Sequence, residues 1–142
     1  MLVDLLQKDL ALHGLRAAKA AALRCWLEVF EQLIDGMTSK KWDQLPELYA
    51  EDVVILHPLS TGPEARIEGR EKVREHFARA AAFDADLRIE DIVIHETADP
   101  EVVICEQTLR GNFGGKEAAM PGIRVMRVRD GLIVSSRDYG IR

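Results

Sequence analysis

The chain has 142 residues, 47% hydrophobic and 30% charged, with a formal net charge of −5. That length holds one domain with a buried core, and the composition is that of a soluble globular protein, not a disordered one. The acidic balance argues against a general nucleic-acid or membrane-surface role, both of which need a cationic face. No run of about 18 apolar residues is present to span a bilayer.

In chain order, Leu2, Leu5, Leu6 and Leu10 have helical spacing, which predicts a short amphipathic helix over residues 1–14, ending near Gly14. Asp4, Lys8 and Asp9 interrupt its leucines and no small-residue cleavage site follows, so no signal peptide is read. Residues 15–142 form the single main domain. Leu23, Trp26, Leu27, Phe30, Leu33, Ile34 and Met37 repeat at helical spacing and predict the longest helix, from Leu15 to about Met37. A second short helix covers about Lys41 to Ala50, with Pro46 in its first turns.

The period then changes to that of a strand in "DVVIL". "HPLSTGPEARIEG" reads as a loop with two prolines and two glycines. "REKVREHFARAAAF" reads as a helix with Val73, Phe77 and Ala80 on its apolar stripe. Four β segments follow, over about Leu87–Glu96, Val102–Arg110, Ala118–Arg129 and Leu132–Tyr139. "ADPE" and "RDG" make tight turns, and "NFGGKE" a longer one. Helices followed by consecutive hairpins predict an α+β fold: a three-helix cap on a curved antiparallel sheet enclosing a cone-shaped pocket for a small molecule.

Strand alternation sorts the side chains into two faces. Arg124, Met126 and Val128 share one face. So do Leu132, Val134, Ser136 and Asp138, and so do Val103, Cys105, Gln107 and Leu109. This set is apolar, with Gln107, Arg124, Ser136 and Asp138 as its few polar members, the pattern of a pocket wall. The other set carries Glu106, Arg110, Arg127, Arg129 and Arg137 and reads as solvated or subunit-facing. Cys25 and Cys105 are far apart and lack metal-like spacing, which fits reduced thiols in the cytoplasm better than a disulfide framework.

The element order, with "LYAEDVVILHPLSTGPEARIEGREKVREHF", resembles the nuclear-transport-factor-2-like (NTF2-like) superfamily across about Trp26 to Ile141. That group includes ketosteroid isomerases, SnoaL-like polyketide cyclases and phenazine-biosynthesis proteins. One cone hosts many reactions in it, so the resemblance implies a fold more firmly than an activity. By comparison with the ketosteroid isomerases, His57 stands where the catalytic Asp base precedes a Pro. Arg124 stands at the oxyanion-hole Asp, and the Tyr position falls near Phe30. By comparison with limonene epoxide hydrolases, Arg124 matches an Arg and Asp138 offers a second acid, but Met126 occupies the place of a required carboxylate. "IEGREKVREHFARAA", "IVIHETADPEVVICE" and "RVRDGLIVSSRDY" are similar to segments of phenazine-biosynthesis proteins. The active-site His and Glu of those proteins correspond to His76 and Asp138, and Ala80 replaces a serine.

The expected catalytic groups are therefore His57, His76 and Asp138. Arg124 is the expected clamp for a carbonyl or carboxylate oxygen, Gln107 and Ser136 further polar contacts, and Phe30, Trp26 and Met126 the apolar wall. No organic cofactor or metal is expected, because two histidines and an acid at these spacings do not make a zinc pattern. The resemblance implies a homodimer formed through the sheet. It leaves two functions open: a cofactor-independent isomerase, cyclase or condensing enzyme, or a non-catalytic ligand- or partner-binding module.

Overall fold

A computed structural model describes residues 17–140. The helix expected over residues 1–14 lies outside them. α1 spans Ala17–Thr38, a 3-10 helix spans Trp42–Leu48, and β1 spans Tyr49–Leu56. A one-turn 3-10 segment, Pro63–Ala65, leads into β2, Arg66–Glu68, and α2 runs from Arg70 to Ala82. The long strands are β3 (Asp86–Glu96), β4 (Val102–Phe113), β5 (Lys116–Arg129) and β6 (Leu132–Gly140). They form one six-stranded sheet in the order β2-β1-β6-β5-β4-β3. The three helices pack on one face of it, giving the expected α+β cone.

α1 forms the floor of the core. Leu23, Trp26, Leu27, Phe30 and Leu33 recur at i, i+3, i+4 and i+7 and are all buried, so one stripe faces β3 and β5. α2 inserts Val73 and Phe77 over β1, beside Tyr49. Gly36 in the last turns of α1 permits close approach of the 3-10 helix: a Cβ there would lie 2.2 Å from Leu45 Cδ2, and Leu45 is itself buried. Alanine would raise helix propensity by about 1 kcal/mol, whereas overpacking a tight core contact costs about 1–3 kcal/mol. Gly36→Ala is therefore expected to lower the thermal midpoint. A raised midpoint would show that the helix contact is not tight.

Four expectations are corrected. First, the loop after β1 contains a strand, β2, which pairs antiparallel with β1 through Val54–Glu68, Ile55–Ile67 and Leu56–Arg66. Three residues are too few to show a period. Second, β1 pairs with β6 in parallel, so the sheet is antiparallel except at this one seam. Third, "NFGGKE" is a tight turn, because β4 runs to Phe113 and β5 starts at Lys116. Gly114 and Gly115 both have positive φ, as a two-residue hairpin of matching twist requires. Fourth, Arg127 pairs with Ser135 and Val128 with Ile133, so Val134 is an extra residue in β6. This bulge re-phases the strand. Ile133 becomes fully buried, and Leu132 and Val134 are only half-buried.

Candidate functional site

The parallel β1–β6 seam builds the site. Its register sets Ile55 beside Ser136 and Leu56 beside Arg137, so one further residue brings His57 alongside Asp138. Across the antiparallel seams, Asp138 faces Arg124 and Arg124 faces Cys105. His57, Asp138, Arg124 and Cys105 thus form one transverse row across four neighbouring strands, on the face that carries the core. Ser136 lies on the same face, two residues before Asp138.

The polar members of this row are in contact. His57 Nε2 lies 3.5 Å from Asp138 Oδ2, and Arg124 Nε lies 3.2 Å from Asp138 Oδ1. The Ser136 hydroxyl donates to Asp138 Oδ1 at 2.6 Å. Side-chain exposures are 5% for His57, 16% for Asp138 and 11% for Arg124. The cluster is thus screened from solvent and reached most readily at the carboxylate. Burial opposes ionisation of Asp138, but the Arg124 charge, the adjacent His57 ring and a hydrogen bond from Ser136 outweigh it, holding the carboxyl well below its usual range. Asp138 is a fixed negative charge and a poor proton acceptor. Although Arg124 Nε is close to Asp138, its N–H finds no acceptor in hydrogen-bonding geometry. It remains a buried donor of the kind that an approaching oxygen can use.

His57 is defined by its other nitrogen. Nδ1 lies 2.6 Å from the backbone carbonyl oxygen of Glu64. A carbonyl only accepts, so Nδ1 carries the hydrogen and donates it. Proton exchange is left to Nε2, the nitrogen that faces Asp138.

His76 reaches the edge of the cluster from α2. Its ring centroid is 6.2 Å from that of His57, and its Nδ1 pairs with Glu64 Oε2 at 2.7 Å. Gln107 is set apart: it lies opposite Gly122, two residues along β4 from Cys105, and its Oε1 is 3.9 Å from the Cys105 thiol. Trp26, Phe30 and Met126, expected to line a pocket, have 0%, 0% and 1% exposure. The Trp26 indole stacks at 4.9 Å on Phe30 and donates to the Met126 carbonyl oxygen at 2.9 Å. The three are seated as core beneath the polar row.

Two residues beside the site escaped the sequence reading. Glu64 lies in a loop, where no period marks an inward position. Tyr49 falls in the helix expected over about Lys41–Ala50, but it opens β1 instead; its buried phenol senses both Arg124 and Asp138, and burial pushes its pKa up so that it stays a neutral donor. Burial likewise pushes the Cys105 thiol up to about 11 despite the nearby Arg124 charge, leaving it protonated and unreactive at neutral pH. Among the described residues no group of three or more His, Cys, Asp or Glu side chains is arranged to hold a metal ion, and no helix is long and apolar enough to cross a membrane.

A helical cap on a bent sheet, with a polar row set into the covered face, defines an NTF2-like cone. Within that class the chain belongs to the SnoaL-like domain family, whose profile matches residues 30–136. It is 28% identical over 134 residues to an uncharacterised PhzA/B-like protein of Pseudomonas aeruginosa, covering 93% of this chain and 82% of that one. A candidate isomerase from Bacillus subtilis superposes with a TM-score of 0.78 at 25% identity, over 84% of this chain and 88% of the other. A phenazine biosynthesis-related protein from Pseudomonas aeruginosa superposes with a TM-score of 0.75 at 22% identity, over 90% and 82%.

Proposed function

We propose that this protein binds a small, largely apolar carbonyl or carboxylate compound and moves a proton on it without a cofactor, giving isomerisation, cyclisation or condensation. The observation that carries this reading is the 2.6 Å approach of His57 Nδ1 to the Glu64 carbonyl oxygen: an acceptor there calls for Nδ1–H, which leaves Nε2 as the ring nitrogen able to take a proton. The fixed Asp138 carboxylate 3.5 Å away would stabilise the imidazolium formed. Arg124 would hold the substrate oxygen, where an enolate develops charge, through the Nε–H that has no acceptor. His76 is the second candidate proton carrier. Other chains of the same fold include a designed 17-OHP binder and a ketosteroid-isomerase-like protein of Catenulispora acidiphila crystallised with trimethylamine, so the fold tolerates small ligands of differing chemistry.

The working form we propose is a cytoplasmic homodimer joined through the uncovered sheet face. There Val93, Ile123 and Tyr139 are exposed and, with Glu106 and Thr108, border an open concavity of about 470 Å³.

The test is solvent exchange of α-protons on a panel of apolar ketones and keto acids, followed by NMR in deuterated water. Wild-type protein is expected to accelerate exchange of at least one compound. His57→Gln is expected to lose about 10²–10⁴-fold of that rate, the usual contribution of a positioned general base. Equal rates in the two proteins would remove His57 from the chemistry. The second reading, a non-catalytic binding module, is favoured by the filled interior at Trp26, Phe30 and Met126. It predicts thermal stabilisation by a ligand with no exchange in any arm.

A further inference from the structure

The segment from His57 to Ala65 closes on itself through two consecutive carbonyls. The His57 backbone N–H donates to the Ala65 oxygen at 2.9 Å, and the His57 ring Nδ1–H donates to the Glu64 oxygen at 2.6 Å. The backbone bond continues the β1–β2 ladder and holds the loop ends together. The ring bond depends on how the peptide after Glu64 is turned, and Glu64 sits in the single 3-10 turn Pro63–Ala65 that follows Gly62, a glycine with φ +87. One turn has too few internal hydrogen bonds to hold a peptide plane alone. Beyond the Ala65 N–H, which donates to the Gly62 oxygen at 3.2 Å, the Glu64 side chain ties the turn down by leaving the loop and reaching α2. Its Oε2 takes the His76 Nδ1–H at 2.7 Å, and its Oε1 accepts from Arg79. Arg79 stands three residues after His76 on the same helical face.

We propose that Glu64 is a positioning residue. Its carboxylate, fastened to His76 and Arg79 on α2, aims its own backbone carbonyl at His57 Nδ1 and thereby keeps Nε2 as the proton-exchanging nitrogen. One residue thus joins the two histidines, through its main chain to His57 and through its side chain to His76. The arrangement also gives α2 a second route to His57 beside the ring approach of His76, since a change at Arg79 would reach His57 by turning one peptide plane. The importance of this for turnover rests on the proposed reading of His57 as proton carrier. The tautomer itself does not.

The experiment records long-range proton–nitrogen correlations of the histidine rings in the full-length ¹⁵N-labelled protein, with the rings in their neutral form. Wild-type His57 is expected to show a protonated Nδ1 and a bare Nε2. In Glu64→Ala, both ring nitrogens are expected to move toward the average of a tautomer mixture. Arg79→Ala, which leaves the His76 anchor, is expected to move them less in the same direction. His95, paired with Glu106 across β3 and β4 at 2.5 Å on the other side of the sheet, is the internal reference and is expected to keep its signals. A wild-type His57 protonated at Nε2, an unchanged His57 in Glu64→Ala, or a His95 that shifts along with it would each overturn the assignment. The α-proton exchange assay is read separately. There kcat is expected to fall in Glu64→Ala by the fraction of His57 in the wrong tautomer, with KM retained. If wild-type protein shows no exchange at all, the enzymatic reading fails while the tautomer result still decides the role of Glu64.

Discussion

Asp138→Ala is expected to destabilise the protein by about 3–5 kcal/mol, the loss that follows when one partner of a buried ion pair is removed and the other is left uncompensated. The stranded partner is Arg124, only 11% exposed and already holding one donor without an acceptor. Domains of this size have a total stability of about 5–15 kcal/mol, so the variant is expected to unfold at a markedly lower urea midpoint. The double variant Arg124→Met/Asp138→Leu removes both charges at similar volume and is expected to recover most of the loss. A deficit in Asp138→Ala below about 1 kcal/mol, the range of an exposed pair, would mean that solvent reaches the row freely. The pH dependence has a definite sign. The folded carboxyl titrates well below the unfolded one, so the unfolded chain binds more protons as the solution is acidified. The contribution of Asp138 is therefore present above the ordinary aspartate range and is lost as pH falls below about 4. Asp138→Asn is expected to flatten that acid limb, and an acid limb identical to wild type would place the sensitivity elsewhere. Glu101 is the natural comparison: hydrogen bonds from Arg129 and Arg127 lower its pKa to about 2, but at a partly exposed site, where salt screens the pair more.

The same row shows what a sequence can and cannot disclose. Period alone located α1, α2 and the four long strands to within a few residues, because each buries one stripe or one face. Parity along β5 and β6 also set Arg124, Ser136 and Asp138 on a common face, since the bulge lies at Val134, before the two polar residues of β6 and outside the stretch that carries them. That bulge misled only the start of β6, where Ile133 took the core place expected of its neighbours. The meeting of His57 with Asp138 was legible only by analogy. It depends on the parallel β1–β6 pairing between segments some eighty residues apart, and no local signal encodes a partner at that distance. Glu64 was illegible for a different reason: it acts through its carbonyl in a loop, where side-chain pattern carries no information. Trp26, Phe30 and Met126 were placed on the correct face, but a face cannot say whether its side chains meet space or one another.

That last distinction can be forced at Trp26. Trp26→Ala is expected to cost about 3–5 kcal/mol, as large-to-small changes of buried aromatics do. The indole is fully buried, stacks on Phe30 and donates to the Met126 carbonyl oxygen, so truncation leaves a void and removes a buried hydrogen bond. Trp26→Phe keeps most of the volume and is expected to lose about 1–3 kcal/mol, the penalty for leaving that acceptor unsatisfied together with a small packing defect. The difference between the two variants separates the void from the hydrogen bond. If Trp26 instead lined an open pocket, truncation would only widen it, and both variants would unfold close to wild type. The void has a further consequence. A largely apolar cavity beside Phe30, with the Met126 carbonyl oxygen on its edge, should accept a small hydrocarbon, as engineered cavities do. Benzene is therefore expected to raise the thermal midpoint of Trp26→Ala and to leave wild type unchanged. An equal rise in wild type would show that the cone already contains open apolar space.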